Sequence, residues 1–77
     1  MASDPRTYQM VGFIRVETPK AMMIQVESVE DVKLPEPREE WFPKSQIEDL
    51  CENPEDPTTM IFTAKHWIME GKGLVKP

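Results

Sequence analysis

Lys44 and Ser45 are residue types that can act together in catalysis, and they are adjacent in the segment EEWFPKSQIEDL, residues 39–50. A Ser–Lys pair is catalytic only when a neutral lysine amine lies within hydrogen-bonding reach of the hydroxyl. Neighbouring residues of an extended chain point to opposite sides. We therefore predict no catalysis here, and Lys44 is left as a lone cation among acidic neighbours.

His66 and Cys51 are the only histidine and the only cysteine. A metal site would have to join them to carboxylates from distant segments. We expect His66 to be a solvent-facing helix residue and Cys51 to be a semi-buried apolar residue. The GKG segment, residues 71–73, lacks the remainder of a phosphate-binding loop. These patterns predict no metal, no cofactor and no enzymatic activity.

The charge is concentrated in the middle of the chain, although the net charge is only −5. Residues 27–56, which we call the acidic belt, hold eleven acids and three bases and therefore net −8. Such a surface repels nucleic acid, which is bound mainly through its phosphates. It suits a basic partner protein.

Two runs of alternating residues predict an antiparallel hairpin. YQMVGFIRV, residues 8–16, and AMMIQVESV, residues 21–29, are rich in β-branched and aromatic residues. Pro19 suits the turn that joins them. Gly12 marks a place where the first strand can bend tightly.

The next segment predicts a loop followed by a short helical turn. Residues 30–39, with two prolines one residue apart, favour an exposed loop. Trp41 and Phe42 resume strand character until Pro43 ends it. Ser45 and Glu48 then have capping-box spacing, which predicts a helix of at most two turns.

The last part of the chain predicts a short strand, residues 58–62, and a short helix that begins at an N-cap Thr63 and ends at a glycine. In this helix Trp67 and Ile68 are expected to pack inward, and Leu74 and Val75 to dock behind it. Seventy-seven residues make one small domain, residues 1–77. The fold class is therefore α+β: a small antiparallel sheet, which a curl would make a partial β-barrel, with a short helical turn and a short C-terminal helix.

The motif Trp41, Pro43, Lys44, Ser45, Gln46, Ile47 resembles the W-x-P-K-S-Q-I segment of a group of small phage and prophage proteins. Residues 20–26, Trp67 and the pair Gly73–Leu74 extend the resemblance over residues 20–75. It implies a phage or mobile-element origin and transfers no activity. The EDVKLPEPR segment departs from the pattern, in which a short turn is expected.

We expect a non-enzymatic accessory protein that binds a protein partner, such as a host factor, through the acidic belt. The expected contacts are Glu36, Glu39, Glu40, Trp41 and Lys44. The alternative is a single-stranded nucleic-acid-binding protein on an OB-like barrel, with the aromatic residues stacking on bases. Core packing of at least one tryptophan is the default expectation. Without a signal sequence or an apolar span, we expect a cytoplasmic protein, and pairing with a second copy stays open.

Overall fold

The computed structural model describes residues 6–75. All strand pairings are antiparallel, and the strands lie side by side in the order β3-β2-β1-β5-β4. The elements are β1 Thr7–Glu17, β2 Ala21–Val29, β3 Val32–Pro43, a 3₁₀ turn Lys44–Gln46, β4 Ile47–Asn53, β5 Asp56–Lys65 and α1 His66–Gly71. The antiparallel sheet and the short C-terminal helix are therefore confirmed.

The first hairpin forms as its alternation predicts. Its turn is closed by Thr18, whose backbone N–H donates to the Ala21 carbonyl at 2.8 Å. The Thr18 hydroxyl oxygen accepts from the Ala21 N–H at 3.0 Å. Pro19 lies between Thr18 and Ala21 in this turn, and its missing N–H leaves no hydrogen bond unmade there.

The predicted loop over residues 30–39 is wrong, because β3 begins at Val32. The turn has only two residues, Glu30 and Asp31, with φ of 50° and 64°. Both values suit a type I′ hairpin turn, whose twist matches that of the strands. Pro35 and Pro37 are tolerated because β3 is an edge strand, and because the pairing with β2 shifts register beside them.

The predicted short helical turn after Pro43 is confirmed as a 3₁₀ turn, but its predicted cap and extent are wrong. Only three residues form a 3₁₀ turn, and no side chain caps it, so the Ser45–Glu48 capping box is absent. From Ile47 the chain is extended as β4, and the Thr63 hydroxyl donates to the Glu48 carbonyl at 3.1 Å. Pairing with β5 stabilises the extended chain more than a helix of one or two turns would, because so short a helix is only marginally stable by itself.

The C-terminal helix is shorter than predicted. Thr63 lies inside β5, and the N-cap residue is Lys65. At the other end Gly73 has a φ of 70°. Its N–H donates to the Glu70 carbonyl at 3.0 Å and the Leu74 N–H donates to the Met69 carbonyl at 2.9 Å. This is a Schellman ending, so the predicted glycine terminator and the docking of Leu74 and Val75 on the core are confirmed.

The core lies on one face of the sheet, which we call the inner face. The register aligns its side chains across the strands, and α1 adds two more. The buried apolar residues are Met10, Met22, Ile24, Val26, Val29, Phe42, Phe62, Ala64, Ile68 and Met69.

The sheet is strongly curled around two phenylalanines. Phe42 lies on β3 and Phe62 on β5, three strand spacings apart in the sheet order. In a flat sheet those strands would be about 14 Å apart. The two ring centroids are only 5.4 Å apart, in an edge-to-face arrangement. The sheet nevertheless ends at β3 and β4, so a partial barrel stays a prediction for the described residues.

Gly12 allows the curl at the centre of the sheet. A Cβ built on it would overlap the backbone carbonyl oxygen of Gln25 and would lie 2.9 Å from Ile24 Cγ2. The pairing of β1 with β2 shifts register between Val11 and Gly12. Since a backbone atom cannot move aside as a flexible side chain can, only glycine fits here.

We predict that Gly12→Ala lowers the free energy of unfolding by about 2–3 kcal/mol, as expected for overpacking against fixed backbone. Gly71→Ala is the matched control, because a Cβ there meets nothing within 4 Å. It should be neutral or raise stability by up to about 1 kcal/mol through helix propensity. Urea denaturation measures both, and equal effects at the two positions would contradict the packing argument.

Candidate functional site

Strand β3 carries four of the five predicted contact residues but does not bring them together. Side chains alternate along a strand, so Glu39 and Trp41 point away from the core while Glu40 points toward it. Glu36 is exposed next to the register shift. Lys44 follows in the 3₁₀ turn. The predicted set is therefore divided between two sides of the sheet.

Glu40 has a structural role on the inner face. Its carboxylate accepts from Arg38 Nη2 at 2.8 Å. The same guanidinium donates to the Lys72 carbonyl at 2.7 Å and to the Gly73 carbonyl at 3.1 Å. Arg38 thus satisfies the carbonyls at the C-terminal end of α1, where a cation is favoured. Glu40 holds the guanidinium in place.

Lys44 is not a lone cation, and that expectation is wrong. Its Nζ lies 2.7 Å from Glu17 Oε2, at the end of the neighbouring β1–β2 hairpin. The backbone N–H of Lys44 also donates to the Lys20 carbonyl at 2.8 Å. These bonds fix the 3₁₀ turn beside the Pro19 turn, and Ser45 stays exposed next to them.

Neither tryptophan is in the core, contrary to the default expectation. Trp41 is 45% exposed and Trp67 is 53% exposed. Phe42 takes the core position in β3, and alternation then sends Trp41 to the opposite side. Trp67 lies on the exposed side of α1, although Ile68 packs inward as predicted.

Trp41 heads an apolar row on the side of the sheet away from the core, which we call the outer face. Its cross-strand partner on β2 is Met23, and the partner of Met23 on β1 is Val16. Met23 is half-buried and Val16 is 42% exposed. Cross-strand neighbours lie about 5 Å apart, so the three side chains form one continuous patch.

The outer face continues as an apolar surface toward the other end of β1. Val11 and Phe13 share the outward side of that strand, and Ile61 of β5 pairs with Val11. All three are half-buried. On β4, Cys51 is the cross-strand partner of Ile61. Its side chain is exposed, so the expectation that Cys51 is semi-buried is wrong.

Trp67 lies in a separate groove beside α1, which packs on the inner face. The groove has a volume of about 280 Å³ and runs between α1 and the 3₁₀ turn. Pro43, Gln46, Ile68, Gly71 and Lys72 line the rest of it. The Lys72 ammonium lies 5.1 Å from the centre of the Phe42 ring, so that cation covers the core below the groove.

His66 is buried, so the expectation that it faces solvent is wrong. Its Nδ1 lies 2.9 Å from the Tyr8 hydroxyl and its Nε2 lies 3.2 Å from Glu70 Oε2. The Tyr8 hydroxyl and Nδ1 form a hydrogen bond whose direction depends on which ring nitrogen carries the proton. The trio Glu70, His66 and Tyr8 ties α1 to β1.

No group of three or more His, Cys, Asp or Glu side chains within residues 6–75 is placed to hold a metal ion. No helix in the same part of the chain has both the length and the apolar character needed to cross a membrane. No family model, no curated protein and no solved structure matches the chain.

Arg38 and Lys44 should differ in their effect on stability. We predict that Arg38→Met lowers the free energy of unfolding by about 1–2 kcal/mol, because it removes charge-assisted bonds to the helix end. Lys44→Met removes an exposed ion pair and should cost less than about 1 kcal/mol. Thermal unfolding of both variants provides the comparison. A larger loss for Lys44→Met would contradict the roles given to the two cations.

Proposed function

We propose that this chain is a non-enzymatic protein-binding module that docks its partner on the outer face of the sheet. The observation that carries the proposal is the exposed apolar row Trp41, Met23 and Val16. Tryptophan and methionine are enriched at protein interfaces, and tryptophan is among the commonest hot-spot residues. The core does not need these side chains, since Phe42 fills it from the same strand.

The acidic belt supplies the charge of the docking surface. Glu39 pairs with Gln25 on the outer face, one row away from Trp41. Glu36 is exposed on the same strand. Carboxylates at the rim of an apolar patch attract a basic partner and raise its rate of association. Of the five predicted contacts, Glu36, Glu39 and Trp41 are therefore retained in the proposal, while Glu40 and Lys44 are assigned to structural ion pairs.

The setting of this binding function rests on the sequence. The W-x-P-K-S-Q-I resemblance supports a phage-type accessory protein, and a host factor in the cytoplasm is the partner it favours. Trp41 and Ile47 are the apolar positions of that motif. Trp41 lies in the outer row and half-buried Ile47 packs against the core. One motif therefore contributes both to the fold and to the proposed surface.

The second candidate is single-stranded nucleic-acid binding on a curled sheet. Two exposed tryptophans favour it, because bases stack on aromatic rings. The net charge of −8 in residues 27–56 opposes it, because a nucleic-acid surface needs basic residues. A labelled oligonucleotide titrated at low salt separates the two, since micromolar binding that weakens steeply with salt would favour this candidate.

We predict that Trp41→Ala weakens capture of the partner from extracts of the cell that encodes or hosts this chain by at least about 30-fold, the size of a hot-spot loss. Trp67→Ala is the matched control, because it removes an equally exposed tryptophan from another surface. Quantitative co-purification on immobilised protein measures both. Unchanged capture by Trp41→Ala, or equal losses for the two variants, would contradict docking on the outer face.

A further inference from the structure

A groove with an apolar floor and an acidic rim crosses the end of the outer face opposite to Trp41. It consists of two adjoining depressions, of about 160 and 300 Å³, between the β2–β3 turn and the β4–β5 turn. The two share Val11, Asp31 and Asn53 in their walls. Because they adjoin at these residues, one extended segment can occupy both.

The floor of the groove is apolar. Val11, Phe13 and Ile61 are its apolar lining residues, and each is half-buried. A ligand that lies here must therefore offer hydrocarbon to the floor.

The rim of the groove is acidic. Glu27, Asp31, Glu55 and Asp56 line it, against one cation, Lys33. Like charges held around one concave site attract a cation more strongly than the same charges spread over a convex surface. A ligand that satisfies both the rim and the floor carries a positive charge on an apolar stem.

The two turns hold the rim in place. The Glu30 N–H donates to the Gln9 carbonyl at 2.8 Å and the Gln9 N–H donates to Glu30 Oε1 at 3.1 Å, which fastens the first turn to β1. In the second turn the Asn53 amide donates to Thr59 at 3.1 Å. Glu30 is thus engaged, whereas the Asp31 carboxylate makes no hydrogen bond or ion pair within residues 6–75.

We propose that this groove binds the arginine side chain of a basic, extended segment of the partner protein. The guanidinium lies between Asp31 and Glu27, which matches the planar donor geometry of that group. Its methylene stem lies on Val11 and Ile61, and Phe13 adds apolar contact area beside them. This inference deepens the proposed function and rests on it.

The position of the groove sets the spacing of the partner segment. Val11 in the groove and Val16 in the Trp41 row are five residues apart on β1. Five residues of extended chain span about 16 Å. A segment that runs along β1 therefore places an apolar side chain about five residues from its arginine. A second copy of this chain fits poorly, since its own rim would bring like charges together.

The test titrates the ¹⁵N-labelled full chain with the peptide acetyl-Gly-Arg-Gly-amide and follows amide shifts. The same peptide with citrulline, which is neutral and has the same shape, is the ligand control. We expect saturable millimolar binding with shifts centred on Val11, Asp31 and Asn53, and none with citrulline. Absence of saturable shifts, or equal binding of citrulline, would overturn the inference.

Paired charge variants separate a defined site from diffuse attraction. Asp31→Asn with Glu27→Gln should weaken the peptide about three- to fivefold, the scale of exposed ion pairs. Asp49→Asn with Glu48→Gln removes the same charge from exposed positions away from the groove and should leave the affinity unchanged. Equal weakening by both pairs would overturn the inference in favour of diffuse electrostatics.

A negative result in the peptide titration is distinguishable from a negative result in the Trp41 experiment. The titration uses no natural partner, so its result does not depend on whether Trp41 binds one. If Trp41→Ala loses the partner but the peptide does not bind, the proposed function stands and the arginine site is rejected. If the peptide binds at the groove but Trp41→Ala keeps the partner, docking through the tryptophan row is rejected.

Discussion

The edge-to-face contact between Phe42 and Phe62 is the constraint on which the rest of this structure depends. It joins two strands that a flat sheet would keep about 14 Å apart, while the ring centroids are 5.4 Å apart. Five strands and a six-residue helix can enclose a core only if the sheet bends this far. Gly12 and the register shifts on β1 and β2 permit the bend, and Arg38 holds the end of the helix that covers it.

The bend also determines what is left on the surface. Because the inner face takes Phe42, strand alternation sends Trp41 outward, next to Met23 and Val16. Because the β2–β3 and β4–β5 turns both border the far end of the outer face, acidic residues distant in sequence line one groove there. The acidic belt therefore divides into separate surfaces: Glu40 neutralises Arg38, and another set of carboxylates faces the groove. The apolar row and the groove together account for the proposed docking of a basic partner.

The sequence predicts the first hairpin, its Pro19 turn and the glycine ending of the helix, because local alternation and turn chemistry decide them. Prediction from the sequence fails where residues distant in the chain determine the local structure. Pro35 and Pro37 indicate a loop, yet an edge strand with a register shift accommodates them. Ser45 and Glu48 indicate a helix, yet β5 pairs with that segment. His66 is buried by Tyr8, which is 58 positions away. Once Phe42 is placed in the core, strand alternation predicts that Trp41 is exposed. The groove could not be predicted from the sequence, because it depends on the relative position of the β2–β3 and β4–β5 turns.

Site-specific photo-cross-linking tests the central claim, docking on the outer face, most directly. A benzophenone amino acid replaces Trp41 in one variant and Trp67 in another, and both are irradiated in cells that encode or host the chain. Each position is already an exposed aromatic residue, so the fold tolerates both probes. The account predicts a discrete protein adduct from position 41 that position 67 does not give. No adduct at position 41, or the same adduct from both positions, would contradict it.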